Sequence, residues 1–260
     1  MAKAEKNGKR RQTVPVNGKP AAAGEKHAGP TASAGTATAA AAAAPALDPA
    51  SLSPRDEAIV TRAAEVFLAR GIADVKMTEL ADAAQVGVAT LYRRFSTKTD
   101  LAILAVTLLW RRVNESLEAI VASREFLAQN GFCRLETLLC SYRDTYLKQA
   151  DFMRLLDEFD HVVLAEHVEA ERLAAYGAEV DSFYPVFEAA YRLGLEDGSV
   201  TCMVDFPTFY RALAHALTST AQKLSRGEVI PSDDFANVRS ELNYLILMAK
   251  CTLKSTQLGA

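Results

Sequence analysis

MTELADAAQVGVATLYRRFS, residues 77–96, spaces its apolar residues as two short helices would. It contains two short apolar-periodic segments, Met77 to Ala84 and Val88 to Phe95, separated only by Gln85, Val86 and Gly87. That spacing predicts two helices joined by a tight turn, a helix-turn-helix. Leu80, Ala81, Ala84, Val86, Leu91 and Phe95 are placed to pack together, which leaves the other faces to water or to a partner.

Working outward, Ser53 is placed to cap a helix with Pro54 at its first position and Asp56 at its third, where a carboxylate suits the exposed amides. Ile59, Val60, Ala63, Ala64 and Phe67 recur at three to four residues, and Gly71 supplies a stop after Arg70. Downstream, Thr97 and Asp100 begin a helix in the manner of a capping box, which runs through Leu101, Leu104 and Leu108 past Trp110 toward Ala122. The pattern stays helical near 131–149, 151–160, 165–175, 178–195, 207–226 and 232–254, and no segment reads as a strand. The predicted fold class is all-α, with an N-terminal three-helix unit followed by a larger helical unit.

The chain of 260 residues is 50% hydrophobic and 23% charged, the composition of a globular protein. Its apolar runs are short and broken by charges, so no membrane span of about 20 residues is expected. The four cysteines, Cys133, Cys140, Cys202 and Cys251, form no C-x-x-C pair and suit a reducing cytoplasm. The net charge of −3 is unevenly spread. Residues 1–52 hold seven Lys or Arg against three acids, residues 53–101 seven against seven, and residues 102–260 fifteen against twenty-two. A polyanion is thus disfavoured by the third segment.

Three regions are expected. Residues 1–52, rich in Ala, Gly, Pro, Thr and Lys, are too poor in large apolar groups to offset ordering and read as a disordered tail. Their Lys3, Lys6, Lys9, Arg10 and Arg11 are either solvated or weak phosphate contacts. Residues 53–101 form the helix-turn-helix unit, and 102–260 the second helical unit.

The stretch from Ser53 to Trp110, with the core ELADAAQVGVATLYRRFSTKTDL at 79–101, resembles the N-terminal domain of the TetR family of bacterial transcriptional regulators. The resemblance rests on fixed spacings: Leu91 and Tyr92 as a pair, Phe95 three residues on, and Lys98 after it. It implies a homodimer that binds double-stranded operator DNA and answers a small-molecule effector not named by the sequence. Tyr92 and Lys98 would then hold the DNA backbone, and the early residues of the second motif helix would read bases. The residues themselves agree. Val88, Ala89 and Thr90 are small enough to enter a major groove about 12 Å wide, with methyl groups suited to thymine, and Arg93 is placed to reach a guanine edge. Arg94 is either a DNA contact or an ion-paired surface residue. Thr78 touches phosphate or serves local capping. Three positions depart from the family pattern. Gln85 stands where glycine is usual, at a cost of about 1 kcal/mol if its backbone is left-handed. Gly87 and Lys76 replace the usual Ser or Thr, and Lys76 exchanges a side-chain cap for a possible phosphate contact.

For residues 102–260 the resemblance implies effector binding and dimerisation. Phe209, Leu213, Ala216, Leu217, Thr220 and Leu224 stripe one helix, and Phe235, Val238, Leu242, Leu245, Ile246, Ala249 and Leu253 the next. These stripes either form a four-helix bundle between subunits or pack within one. The candidate interface is Leu213, Leu217, Leu224, Leu242, Leu245 and Ala249. Trp110, Tyr142, Tyr146, Met153, Phe183, Phe187 and Phe209 are candidates for a pocket wall, with ordinary core as the alternative. His161 and His167 lie among acids without a metal-ligand spacing, which favours a solvated acidic helix over a metal site. Cys133 and Cys140 read as structural rather than redox-active. No nucleophile motif, glycine-rich phosphate loop or metal motif is present, so neither an enzyme, a cofactor nor a metal is expected. The expected role is a repressor released from a pseudo-palindromic operator by its effector. An accessory DNA-binding protein without effector is one alternative, and an activator rather than a repressor is another.

Overall fold

The computed structural model describes residues 48–202, 204–227 and 237–254, all within the compact unit Ala43–Ala260. The described residues are helical, without strands. They form α1 (Pro54–Arg70), α2 (Met77–Ala83), α3 (Val88–Phe95), α4 (Lys98–Val121), α5 (Arg124–Leu127), α6 (Gly131–Lys148), α7 (Ala150–Ala165), α8 (Ala174–Val180), α9 (Tyr184–Glu196), α10 (Phe206–Arg226) and α11 (Val238–Leu253). Short 3-10 turns lie at Pro49–Ser51 and Ala170–Leu173.

The local signals act as expected at the start. The Ser53 hydroxyl accepts from the Asp56 amide at 3.2 Å, Pro54 opens α1, and Gly71 ends it at φ 80°, a left-handed value that glycine adopts without a Cβ clash. Thr97 likewise accepts from the Asp100 amide at 3.0 Å and starts α4. Order begins before Ser53, however. Asp48 caps the turn Pro49–Ser51, Pro49 is buried, and the turn packs on α4, so residues 48–52 do not belong to a disordered tail. The remainder of that tail lies outside the described residues.

The central element is α4. Every residue from Thr99 to Trp110 is buried, because α1 covers one side of the helix while α7 and α8 cover others. A helix apolar all round is a core helix, and its two polar exceptions near the start are paired: Asp100 with Arg172, and the Thr99 hydroxyl with Glu166 at 2.6 Å. The boundary expected between 101 and 102 falls inside this helix.

The second unit breaks more often than its periodicity indicates. Ser123 ends α4 and caps α5, accepting from the Phe126 amide at 3.2 Å. The segment expected as helix at 165–175 is interrupted at His167, whose φ of 52° cannot continue a right-handed helix. The one expected at 178–195 is divided at residues 181–183 between α8 and α9. Where α6 meets α9 the backbones nearly touch: a Cβ on Gly131 would lie 2.0 Å from the Gly194 nitrogen. That crossing is sealed by Asp197, which accepts from the Gly131 amide at 2.8 Å, and by Ser199, which accepts from the Phe132 amide at 3.0 Å.

Candidate functional site

The exposed side of α3 follows from what the helix must bury. Leu91 and Phe95 enter the core, where α3 packs on α2 and α4. An eight-residue helix with those two positions committed presents Ala89, Tyr92 and Arg93 to solvent, flanked by half-buried Val88 and Thr90. Tyr92 is 50% exposed, unusual for so large a ring. Lys76 and Thr78, at the start of α2, are exposed as well. Among the described residues neither Lys76 nor Arg93 forms a salt bridge, although Lys76 lies near enough to Glu79 to act on its carboxyl, and both side chains are exposed to an approaching anion.

The turn into α3 bears out the reading of its departures. Gln85 adopts φ 55°, the left-handed conformation for which glycine is the usual residue, and Gly87 caps α3 without a side-chain bond. Lys76 supplies no side-chain cap either, but the opposite half of a capping box is present: the Glu79 carboxylate accepts from the Lys76 amide at 2.9 Å and pairs with Arg70 at 2.7 Å. These contacts, the amide first, hold the Glu79 carboxyl below its usual range.

Two basic residues of the motif are engaged within the subunit. Arg94 pairs with Asp56 at 2.5 Å and so joins α3 to the start of α1, the ion-paired alternative. Lys98 corrects the expectation of a phosphate clamp. Its ammonium donates to the carbonyls of Ile72 (2.7 Å), Val75 (3.0 Å) and Ala73 (3.3 Å), so all three of its protons are used in holding the α1–α2 loop.

The same loop is gripped from the other side by α7. Glu158 accepts from the Ala73 amide at 2.5 Å, and Arg154 donates to the Leu68 carbonyl at 3.0 Å, near the end of α1. The Glu158 Oε2 would lie 2.4 Å from a Cβ on Gly71, so the carboxylate takes this position because residue 71 has no side chain. With Asp100–Arg172 and Thr99–Glu166, these bonds connect the helix-turn-helix unit to α7 and the segment following it.

On its other side α7 contributes Leu156 and Asp160 to a cavity of about 450 Å³ bounded also by α4, α6, α8, α9 and α10. Of the pocket residues expected from sequence, Trp110, Tyr142, Tyr146, Phe187 and Phe209 line it. Met153 and Phe183 do not: both are buried core, Met153 among the α7 contacts and Phe183 edge-on to Tyr142 at 6.3 Å. Sequence reasoning missed Tyr176, Tyr210, Asp160, Thr218 and Gln222. The last two carried a signal, since Thr218 and Gln222 sit four apart beside the apolar positions Leu217 and Ala221, and both are bonded to wall residues. Tyr146 and Thr218 share a hydrogen bond at 3.1 Å, and Gln222 donates to Asp160 at 3.0 Å. Burial keeps the Tyr142, Tyr146 and Tyr176 phenols protonated well above neutral pH, and pushes Tyr210 up to about 12.

The expected interface needs a larger correction. Leu217, Leu242 and Ala249 are buried within the subunit, where α10 and α11 pack on each other and on α6. Leu213 lines the cavity, and Leu224 and Leu245 are half-buried against the same core. The apolar groups that α11 turns outward are Tyr244 (61% exposed), Leu247 (50%) and Met248 (44%), beside exposed Cys251. Phe235 lies outside the described residues. No group of three His, Cys, Asp or Glu converges as metal ligands among the described residues, and none of their helices is long and apolar enough to cross a membrane.

Residues 59–105 match the family model described as bacterial regulatory proteins, tetR family, a span that runs from α1 into α4. No curated protein matches the chain. Among solved structures, a tetR-family regulatory protein from Rhodococcus RHA1 is 21% identical, with a TM-score of 0.55 over 79% of this chain and 100% of that one. FadR of Thermus thermophilus, a TetR-family repressor solved with lauroyl-CoA, is 20% identical, with a TM-score of 0.52 over 78% of this chain and 99% of that one. A transcriptional regulator from Saccharomonospora viridis solved with choline is also 20% identical, with a TM-score of 0.54 over 74% and 94%. At these identities the structures establish the fold, and the family match fixes the motif within it. Residues 59–105 therefore carry the helix-turn-helix of the tetR family of bacterial regulatory proteins, in a chain whose fold is that of the tetR-family structures it resembles.

Proposed function

We propose that the chain is a homodimeric repressor that holds a pseudo-palindromic operator and lets it go when a small organic effector enters the C-terminal cavity. In this reading residues 53–101 are the DNA-binding head and 102–260 the effector and dimerisation domain. Ala89, Thr90 and Arg93 read bases, with Val88 beside them. Tyr92, Thr78 and Lys76 hold phosphates. Lys98 stiffens the loop behind them.

The observation that carries the reading is the double engagement of α7. Glu158 and Arg154 grip the α1–α2 loop and the end of α1, while Leu156 and Asp160 face the cavity. An effector that favours one placement of α7 therefore shifts the heads by the same free energy with which it discriminates the two placements. A few kcal/mol is enough to move most of the population. The effector-free alternative calls for a closed domain, and a cavity of about 450 Å³ weighs against it. The neighbouring folds crystallised with lauroyl-CoA and with choline support a ligand-holding role for such a domain, and their unlike ligands carry no preference between chemistries. For the dimer, the exposed Tyr244, Leu247 and Met248 of α11 are the proposed contact, which pairs this helix with its symmetry mate.

The test is selection of duplexes from a random DNA pool by the purified protein, repeated with a metabolite mixture. The expected result is an enriched inverted repeat that is lost with metabolites. An unenriched pool would overturn operator recognition, and an enriched repeat indifferent to every metabolite would overturn effector release.

A further inference from the structure

From the cavity wall we infer that the effector is an organic cation, an amine or quaternary ammonium compound of modest size, held by Asp160 within a cage of aromatic rings. The inference rests on the cavity being the effector site and adds the chemical class.

Asp160 is the decisive residue. It lies three residues after Asp157 on α7, and the two carboxylates have opposite fates. Asp157 is taken up by Arg226, whose Nε is 2.6 Å from it. Asp160 lines the cavity, accepts one hydrogen bond from Gln222 at 3.0 Å, and has no cationic partner among the described residues. Asp160 stands on the cavity wall with access to solvent, and desolvation by the surrounding protein raises its pKa, offset in part by the Gln222 bond and by neighbouring His161. A bound cation would complete the pairing.

The rings agree with that charge. Trp110, Tyr142, Tyr146, Tyr176 and Tyr210 converge on the same space, and their faces are electron-rich. The nearby Asp160 is among the causes that keep the Tyr176 phenol protonated, so these walls add no second anion. The other charged lining groups are Asp181 and Arg211, with His215 beside them, which leaves two acids against one arginine. An anionic ligand would meet Asp160 and Asp181 with Arg211 as the one arginine to offset them, and a purely apolar one would leave the Asp160 charge without a counter-ion.

The chain has a single tryptophan, Trp110, and it lies in the wall, so its fluorescence reports occupancy directly. The full-length protein is titrated with benzyltrimethylammonium, with neopentylbenzene as the neutral carbon isostere and with phenylacetate as the anion, by tryptophan fluorescence and calorimetry. The expected result is saturable binding of the cation, about tenfold or more tighter than the isostere, and no measurable binding of the anion. Asp160→Asn should lower cation affinity by about tenfold while leaving the isostere unaffected. Because its charge is unpaired, the variant should melt no lower than the parent, which distinguishes a binding role from a structural one. Tyr176→Phe, which keeps the ring, should retain cation binding. Equal binding of cation and isostere, tighter binding of the anion, or indifference to Asp160→Asn would overturn the inference. A parallel assay on a selected operator duplex separates it from the reading beneath it. Cation binding that leaves the DNA complex intact would overturn effector release and keep the site, whereas release by metabolites with no cation preference would overturn the class and keep effector release.

Discussion

The helix-turn-helix and the α10–α11 pair are both built from amphipathic helices, yet the same kind of stripe means different things in each. In α2 and α3 the apolar positions Leu80, Ala81, Leu91 and Phe95 enter the core, and the polar remainder, with Tyr92 and Arg93, is the face left to solvent. In α10 and α11 the regular stripe also turns inward, burying Leu217, Leu242, Ile246 and Ala249 within the subunit. What remains outside is a second, less regular apolar set, Tyr244, Leu247 and Met248. Periodicity thus identifies the face of a helix that is buried, but it does not identify the chain that covers it. A short motif hides this ambiguity because three helices have one way to pack. A large helical domain exposes it.

The contrast is tested most severely where the second unit's helices approach most closely. Gly131→Ala would place a methyl group against Gly194 backbone, which cannot swing away as a side chain can. A loss of about 3 kcal/mol or more in denaturant unfolding is expected, against a neutral or slightly stabilising effect for Gly177→Ala, where the added carbon meets nothing within 4 Å in the middle of α8.

Next in size is the pair that separates the inner stripe of α11 from its outer one. Leu242→Ala should cost about 2–5 kcal/mol of stability, because Leu242 is 1% exposed within the subunit. Leu247→Lys should leave the thermal transition of the subunit nearly unchanged and shift the sedimentation profile from dimer to monomer. If Leu247→Lys leaves the dimer intact, the outer face of α11 is not the contact.

Within the motif, Lys98 and Arg93 make the corresponding pair. Lys98→Met leaves three carbonyls without their donor and should destabilise the fold by about 1–3 kcal/mol. It should not change the salt dependence of DNA binding in the folded fraction. Arg93→Ala should do the reverse, retaining stability while costing about 1–3 kcal/mol of discrimination at one base pair. A reduced salt slope for Lys98→Met would restore the phosphate clamp.

The smallest effect belongs to the turn. Gly87 caps α3 at φ −68°, and an added Cβ would meet only the Thr90 hydroxyl oxygen at 3.9 Å. Gly87→Ser should therefore stabilise by a few tenths of a kcal/mol, measured as a shift of the urea midpoint. A loss of stability would show that the hydroxyl is not available for capping.

The helix-turn-helix, its caps at Ser53 and Thr97, and the side of α3 left free were legible along the chain alone, whereas for Gln85 the spacing gave only the cost a left-handed backbone would carry. Each of these is a local matter of hydrogen bonds and side-chain spacing within about one or two turns. The sequence also indicated five of the cavity's aromatic residues, since rings at helical spacing in an otherwise aliphatic run are visible in one dimension. Packing alone settles that Lys98 points into a carbonyl cage, that Leu217, Leu242 and Ala249 are buried within one subunit, and that Asp160 lines the cavity without a salt bridge while Asp157 three residues earlier is neutralised. Those outcomes depend on groups tens of residues away along the chain. A charge carries no mark of whether its partner will be a carbonyl, an arginine or a ligand until packing has brought the candidates within about 3 Å.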